Sequence, residues 1–251
     1  MFSRILSVHI NSCNFDLKES WVLFIRLKNF LRKNLFLVSL RLRLRGEEVG
    51  KYVVNKVDTD ICIDGYPRSA NSFSVRMFRQ ANPDSKIAHH THSIGNLKKA
   101  ILHGIPSVAL IRNPEQAIVS SVIAHEMDCV DDEIYRYIYT YRWVKSNLDN
   151  LVIADFDRVI NNFNDVVTDI NKRFDKSFNL LEDVYDADMQ VKNDIEKRYD
   201  KLGQTKMSHI KPVPSKHRSE KQEKLVAVIL NHKMFNEAKV LYDEIMLSIY
   251  K

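Results

Sequence analysis

The stretch Asp60–Phe78, DICIDGYPRSANSFSVRMF, constrains the chain more than any other. Ile61, Cys62 and Ile63 form a short apolar run, as a buried strand does. Gly65, Tyr66, Pro67 and Arg68 break it, and from Ser69 the residues suit a helix start with Phe73, Met77, Val75 and Phe78 on its apolar side. The local plan is therefore strand, tight turn, helix. A turn that feeds the first turn of a helix points backbone N–H groups at one spot, with the positive end of the helix dipole behind them. That arrangement binds anions. Arg68, Ser69, Asn71 and Ser72 add side-chain donors suited to phosphate or sulfate oxygens.

The spacing invites comparison with the nucleoside-triphosphate loop G-x-x-x-x-G-K-[ST]. Counted from Gly65, the second Gly is Ala70 and the Lys is Asn71, while Ser72 fits the last position. The Lys that would reach a triphosphate is missing, which argues against an ordinary ATP or GTP site.

A second junction repeats the first. Pro106–Ile111, PSVALI, reads as a buried parallel strand, and Arg112-Asn113-Pro114 ends it. Asn113 suits an N-cap, with Pro114 at the first helical position and Gln116 three residues after the cap. Ala117, Ile118, Ser121, Val122 and Ile123 continue the helix. Further strands are expected at 86–90 and 151–154, and further helices at 96–103 and from Phe163 to Phe174. Residues 133–148 carry Tyr135, Tyr137, Tyr139 and Tyr141 in strand-like alternation. Ile134, Ile138, Tyr141 and Leu148 fit a helix, which is preferred because the segment links two parallel strands. Residues 182–210 are polar and partly helical. A Ser219-x-x-Gln222 capping box opens a C-terminal helical segment. The alternation of strands and helices predicts a single α/β domain with a central parallel sheet flanked by helices, and ligands at the carboxyl ends of its strands.

Length and charge narrow the partners. A chain of 251 residues suits one such domain, and its net charge of +6 suits an anionic ligand. Cys13, Cys62 and Cys129 are widely spaced and form neither a disulfide framework nor a metal-ligand pattern, so a reducing compartment is expected. No apolar run has the length of a membrane span, and Arg4, His9, Asn11 and Asn14 interrupt any signal-peptide core. These features predict a cytoplasmic protein. Residues 20–45 mix Trp21, Phe24, Phe30, Leu35 and Leu37 with Arg26, Lys28, Arg32, Lys33, Arg41, Arg43 and Arg45. Such a basic amphipathic segment packs on its own domain or lies on an anionic membrane. Leu40–Arg45 alternates, so an extended end is an alternative there. Residues 1–50 are thus read as an N-terminal segment and 51–251 as the domain.

Pro67-Arg68-Ser69-Ala70-Asn71-Ser72-Phe73 resembles the 5′-phosphosulfate loop of the sulfotransferases, commonly P-[KR]-S-G-[TN]-[TN]-[WF], with Ala70 in place of Gly and Ser72 in place of the usual Thr or Asn. Arg112 and Ser120, eight residues apart, match the Arg and Ser with which that family binds the 3′-phosphate of its donor, 3′-phosphoadenylyl sulfate (PAPS). His90-Thr91-His92 falls where the family places its catalytic His. His92 aligns with that residue and His90 falls near a Lys of many members. The similarity runs over about 58–250 and includes the basic loop KPVPSKHRSEKQ. It implies a P-loop-like sulfotransferase architecture and transfer of a sulfuryl group from PAPS to a hydroxyl or amine on a carbohydrate or small metabolite. His92 would be the base and Arg68 would stabilise the leaving phosphate. The donor would be held by Arg68, Ser69, Ala70, Asn71, Ser72, Arg112, Ser120 and Arg218, with Phe73 against the adenine. The implied mechanism needs no metal, and nucleic acid is not an expected partner. A P-loop kinase or other phosphotransferase, and a non-catalytic anion-binding protein of the same fold, are the alternatives.

Overall fold

The computed structural model describes residues 27, 34–124, 130–201, 223 and 225–249. Arg218 and the Ser219-x-x-Gln222 box lie outside them, as does most of the N-terminal segment before residue 34.

Four short runs form one parallel sheet: β1 (Ile61–Gly65), β2 (Ile87–His89), β3 (Ser107–Ile111) and β4 (Val152–Asp155), in the order β2-β1-β3-β4. Every residue of these strands is buried, which is why they read as continuous apolar runs rather than as alternating ones. The registers pair Ile63 with His89, Gly65 with Leu110 and Ile111 with Asp155. From β1 the chain passes to β2 on one side and then returns to β3 on the other. This places the reversal of strand order between β1 and β3, the place where open parallel sheets bind ligands, at the carboxyl ends of the strands.

Alternate strand residues face opposite layers. Ile61, Ile63, Val108, Leu110, Val152 and Ala154 pack against α2 (Asn71–Ala81) and α7 (Phe163–Phe174), through Phe73, Met77, Phe78, Phe163, Val166 and Ile170. Cys62, Ala88, Ala109, Ile111 and Ile153 face the other layer. There α3 (Ile94–Leu102), α4 (Pro114–Ala124), α5 (Val130–Lys145) and α9 (Phe235–Ile249) contribute Leu97, Ile118, Tyr137, Tyr141, Leu241 and Ile245. The described helices also include α1 (Leu35–Leu44), α6 (Phe156–Asn161) and α8 (Val184–Lys201).

Two local choices follow from side-chain chemistry. Asn113 caps α4, its Oδ1 accepting the N–H of Glu115 at 3.0 Å and of Gln116 at 3.4 Å. The tyrosine-rich segment is helical because its buried side, Ile134, Tyr137, Ile138, Tyr141 and Val144, repeats every three to four residues. Residues 35–44 are helical too, so the extended alternative for Leu40–Arg45 does not hold, and α1 buries none of its residues.

Candidate functional site

β1 ends at Gly65, and the turn follows it. A Cβ at Gly65 would lie 2.4 Å from the Leu110 carbonyl oxygen and 2.9 Å from Leu110 Cβ, so only glycine lets the carboxyl ends of β1 and β3 approach this closely. Beyond it, Arg68 and Ala70 both adopt left-handed backbone, at φ 66° and 64°. Ala70 is the N-cap of α2 and makes no side-chain capping bond. The first N–H groups of α2 therefore lack a cap from within the loop, as an anion site requires. The loop makes its turn with Ala70 where glycine is usual, and that conformation costs an L-residue about 1–2 kcal/mol.

Several loop side chains hold the loop itself. The Asn71 amide donates from Nδ2 to the Tyr66 carbonyl at 2.9 Å. Its Oδ1 is buried with no hydrogen-bond partner among the described residues, an unspent acceptor costing about 1–3 kcal/mol. Ser69 is fully buried and lies 3.5 Å from the Tyr141 hydroxyl, which itself donates to the Leu110 carbonyl at 2.8 Å. Ser69 is thus the donor in that pair. Phe73 is buried in the core beneath the sheet and packs there. Ser72 is exposed, and its Oγ lies 2.8 Å from His90 Nε2.

The two motif-bearing turns meet. Arg112 Nη1 donates to the Arg68 carbonyl at 3.1 Å, and Arg68 Nε donates to Ser120 Oγ at 2.9 Å. Arg112 is fixed further by a bond from Nε to Gln116 Oε1 at 3.2 Å and by the Phe156 ring, 4.0 Å below its guanidinium carbon. Tyr137 donates its hydroxyl to the Arg112 carbonyl at 2.7 Å. Arg68, Ser120 and Arg112 therefore lie side by side at the ends of β1 and β3, far apart in sequence.

The histidines close the third side. The strand ends at His89, and His90 and His92 both take left-handed backbone, at φ 56° and 49°. Such a segment persists only when its surroundings hold it. Here the holder is Asp64, a buried carboxylate at the end of β1. It accepts from the Gly65 N–H at 2.9 Å, the Thr91 N–H at 3.0 Å, the Thr91 hydroxyl at 2.5 Å and the His92 N–H at 3.1 Å. Asn96 Nδ2 adds a longer contact at 3.4 Å. Burial pushes the Asp64 carboxyl up from its ordinary range, while the Thr91 hydroxyl, the Gly65 N–H, the charge of His90 and the His92 N–H pull against that rise. His92 Nδ1 lies 3.0 Å from the Gly65 carbonyl. A carbonyl only accepts, so a neutral His92 carries its proton on Nδ1 and its lone pair on Nε2.

A buried network on α5 supports this segment from behind. The Tyr66 hydroxyl donates to Glu133 Oε2 at 2.5 Å, as does the Ser121 hydroxyl at 2.8 Å. Burial, and then the Glu133 charge, push the Tyr66 phenol well above its usual value, so it remains a donor. Arg136 joins Glu133 at 3.5 Å and donates to the His92 carbonyl at 3.4 Å.

Of the residues expected from the sequence, Arg68, Arg112 and Ser120 are joined by hydrogen bonds, and Ser72, His90 and His92 are joined by the Ser72–His90 bond and the His90–His92 ring contact, while Ser69 and Asn71 are buried in the loop and Phe73 in the core. Asp64, Glu133 and Arg136 were not among those expected. Asp64 alone left a signal, an acid in the buried run ICIDG. Among the described residues no group of three His, Cys, Asp or Glu side chains is arranged to hold a metal ion, and no helix is long and apolar enough to cross a membrane.

No family model matches the sequence, and no curated protein matches it. Among solved structures, the chain is similar to a mouse sulfotransferase, SULT7A1, crystallised with PAP. The TM-score is 0.42 at 9% identity, over 77% of this chain and 91% of that one.

Proposed function

We propose that this protein is a sulfotransferase that takes the sulfuryl group of PAPS and delivers it to a hydroxyl or amine acceptor, a carbohydrate or small metabolite. One observation carries the reading: the turn at 66–70 and the Arg112/Ser120 pair are joined through Arg68 at the ends of β1 and β3. A ligand with a 5′-phosphosulfate and a 3′-phosphate presents two anionic groups a ribose apart, and the ends of β1 and β3 carry two adjacent cationic turns.

In the reaction the acceptor oxygen or nitrogen attacks sulfur in line with the bond from sulfur to the bridging oxygen. The new bond to sulfur forms as the old one breaks, and the nucleotide leaves as 3′-phosphoadenosine 5′-phosphate (PAP). His92 receives the acceptor's proton on Nε2, since Nδ1 is committed to the Gly65 carbonyl. Negative charge develops on the bridging oxygen, next to the first N–H groups of α2, Ser72 and Arg68. Arg112 and Ser120 hold the 3′-phosphate, and Arg218 is a further contact to it.

Residues 51–251 make up the transferase domain in this reading, and residues 1–50 precede it. Phe36, Leu40 and Leu44 of α1 are 73%, 44% and 80% exposed beside exposed Arg41, Arg43 and Arg45, but α1 does not sort apolar and basic residues onto opposite faces as an interfacial helix does, so a peripheral membrane contact rests on the composition of residues 20–45 alone.

Calorimetric titration with PAP and with ATP, followed by incubation of acceptor pools with PAPS labelled in its sulfuryl group, tests the proposal. It expects PAP to bind more tightly than ATP and label to appear in an acceptor. Equal binding of the two nucleotides would remove the 3′-phosphate assignment, and PAP binding without transfer to any acceptor would favour a non-catalytic binding protein.

A further inference from the structure

Four side chains behind the anion loop form a chain whose proton positions are fixed by chemistry alone. Arg79 Nη2 lies 3.3 Å from His89 Nε2. A guanidinium has only donors, so His89 Nε2 accepts and the proton of a neutral His89 sits on Nδ1. That Nδ1 lies 2.6 Å from His90 Nδ1. Two ring nitrogens at this distance form one hydrogen bond, with one donor and one acceptor, so His90 Nδ1 accepts. A neutral His90 then carries its proton on Nε2, 2.8 Å from Ser72 Oγ, and donates to it. With its oxygen accepting from His90, Ser72 has its hydroxyl proton left to give. Ser72 stands in the first turn of α2, where the anion is expected.

The chain begins and ends on one helix. Ser72 and Arg79 are seven residues apart on α2, about two turns, and so share a face. His89 and His90 bridge that face from the end of β2, their rings 4.7 Å apart and nearly perpendicular. His89 is largely buried, with the Tyr52 ring edge-on at 5.2 Å. Burial, followed by the charges of His90, Arg79 and His92, lowers the His89 pKa to about 3, so it stays neutral in ordinary buffers. Protonating His90 on both nitrogens would force the His89 proton onto Nε2, against the Arg79 guanidinium. The arrangement thus resists reversal from the Arg79 end.

We propose that Arg79 is a positioning residue for the anion site. Through His89 and His90 it orients the Ser72 hydroxyl outward as a donor to the bound anion, and it keeps His90 a hydrogen-bond donor rather than a base. The proposal rests on the anion-site part of the sulfotransferase reading, not on sulfuryl transfer itself. It also accounts physically for two neighbouring histidines with different duties. His92 presents a basic Nε2 because a carbonyl holds its Nδ1–H, whereas His90 presents Nε2–H because its Nδ1 accepts.

The test combines nitrogen NMR of the histidine rings with titration of inorganic sulfate and of PAP. In the wild-type protein near neutral pH, His89 is expected as the Nδ1–H tautomer and His90 as the Nε2–H tautomer. In Arg79→Met, His90 shifts toward a mixture of tautomers, and Arg79→Lys, which still only donates, restores the wild-type form in part. Ser72→Ala lowers anion affinity by about 10- to 100-fold, the scale of a hydrogen bond to a charged group. Arg79→Met lowers it by a smaller factor, roughly 3- to 10-fold, and adds little in the Ser72→Ala background because both act through one hydroxyl. Arg79 is exposed, so Arg79→Met should melt as the wild type does; should it fail to fold, Arg79→Gln, which both donates and accepts, frees the same tautomers. A wild-type His90 protonated on Nδ1, unchanged His90 tautomers in the Arg79 variants, or additive losses in the double variant would each overturn the inference. If sulfate binds and PAP does not, the transferase reading falls while the Arg79 assignment is judged on the tautomers and the sulfate data.

Discussion

Gly65→Ala probes the join between fold and site. The added Cβ would meet the Leu110 carbonyl oxygen at 2.4 Å, Leu110 Cβ at 2.9 Å and the Leu110 carbonyl carbon at 3.1 Å. The first and last of these are backbone atoms of a buried strand, so no side-chain rotation relieves the contact. Either β1 and β3 part by several tenths of an ångström or the turn after β1 shifts. Overpacking of this kind costs about 1–3 kcal/mol. For a chain of this size each kcal/mol lowers the midpoint by about 2–4 °C, so the expected fall in Tm is roughly 2–12 °C. The damage should also reach function, because the Gly65 carbonyl holds His92 Nδ1 and the Leu110 carbonyl holds the Tyr141 hydroxyl. Thermal and urea denaturation measure the stability loss. Gly50→Ala is the control, since a Cβ at Gly50 meets nothing within 4 Å; it should leave the midpoint unchanged or slightly raised. If Gly65→Ala melts with the Gly50 control and keeps wild-type anion affinity, the close approach of β1 and β3 does not organise the site.

Asp64→Asn replaces one acceptor oxygen with a donor facing N–H and O–H groups, and should destabilise by about 1–3 kcal/mol for each donor left unmatched; a wild-type melting curve would contradict the role given to Asp64. His89 has its pKa lowered from 6.5 to about 3, so between these values the unfolded chain binds the extra proton and stability falls as pH drops through that window. The loss is at most about 5 kcal/mol. The raised carboxyl of Asp64 contributes with the opposite sign, so the profile of His89→Gln compared with wild type isolates the histidine; coincident profiles would rule out a neutral buried His89. His92→Ala should lower turnover by roughly 10²–10⁴-fold with PAP affinity little changed, and His90→Ala should cost less, as kinetics on the acceptor would show. Near-wild-type turnover of His92→Ala would end its assignment as base.

The sheet was legible because its strands carry their information locally. The runs ICI, PSVALI and LVIA are buried on both faces, and punctuation by Gly65, Pro67 and Asn113-Pro114 marks their ends. The four tyrosines were ambiguous by alternation alone. The need to link two parallel strands decided for helix, and the structure bears this out, with Tyr137 and Tyr141, four residues apart, both wholly buried. The site was legible only in part. Arg68, Ser72, Arg112 and Ser120 were singled out by residue type and spacing, and the fold joins Arg68 to Arg112 and Ser120. The contacts of Glu133 with Tyr66, of Asp64 with Thr91 and of Arg68 with Ser120 span 67, 27 and 52 residues, and no periodicity encodes them. Nor does any local pattern show that Ser69 spends its donor on Tyr141 of α5 and Asn71 on the Tyr66 carbonyl, or that Arg79 reaches His89. These depend on which strand ends become neighbours, a property of the assembled sheet.

The central claim is that the turns after β1 and β3 form one site for a 3′,5′-bisphosphorylated nucleoside. Calorimetric titration of the wild type and of Arg112→Ala with PAP and with 5′-AMP, which lacks the 3′-phosphate, addresses it directly. The wild type should prefer PAP by about 10- to 100-fold, the worth of a charge-assisted contact. Arg112→Ala should bring that ratio close to one while leaving 5′-AMP affinity nearly unchanged. Equal affinity of the wild type for the two nucleotides, or a preference for PAP that survives in Arg112→Ala, would contradict the account.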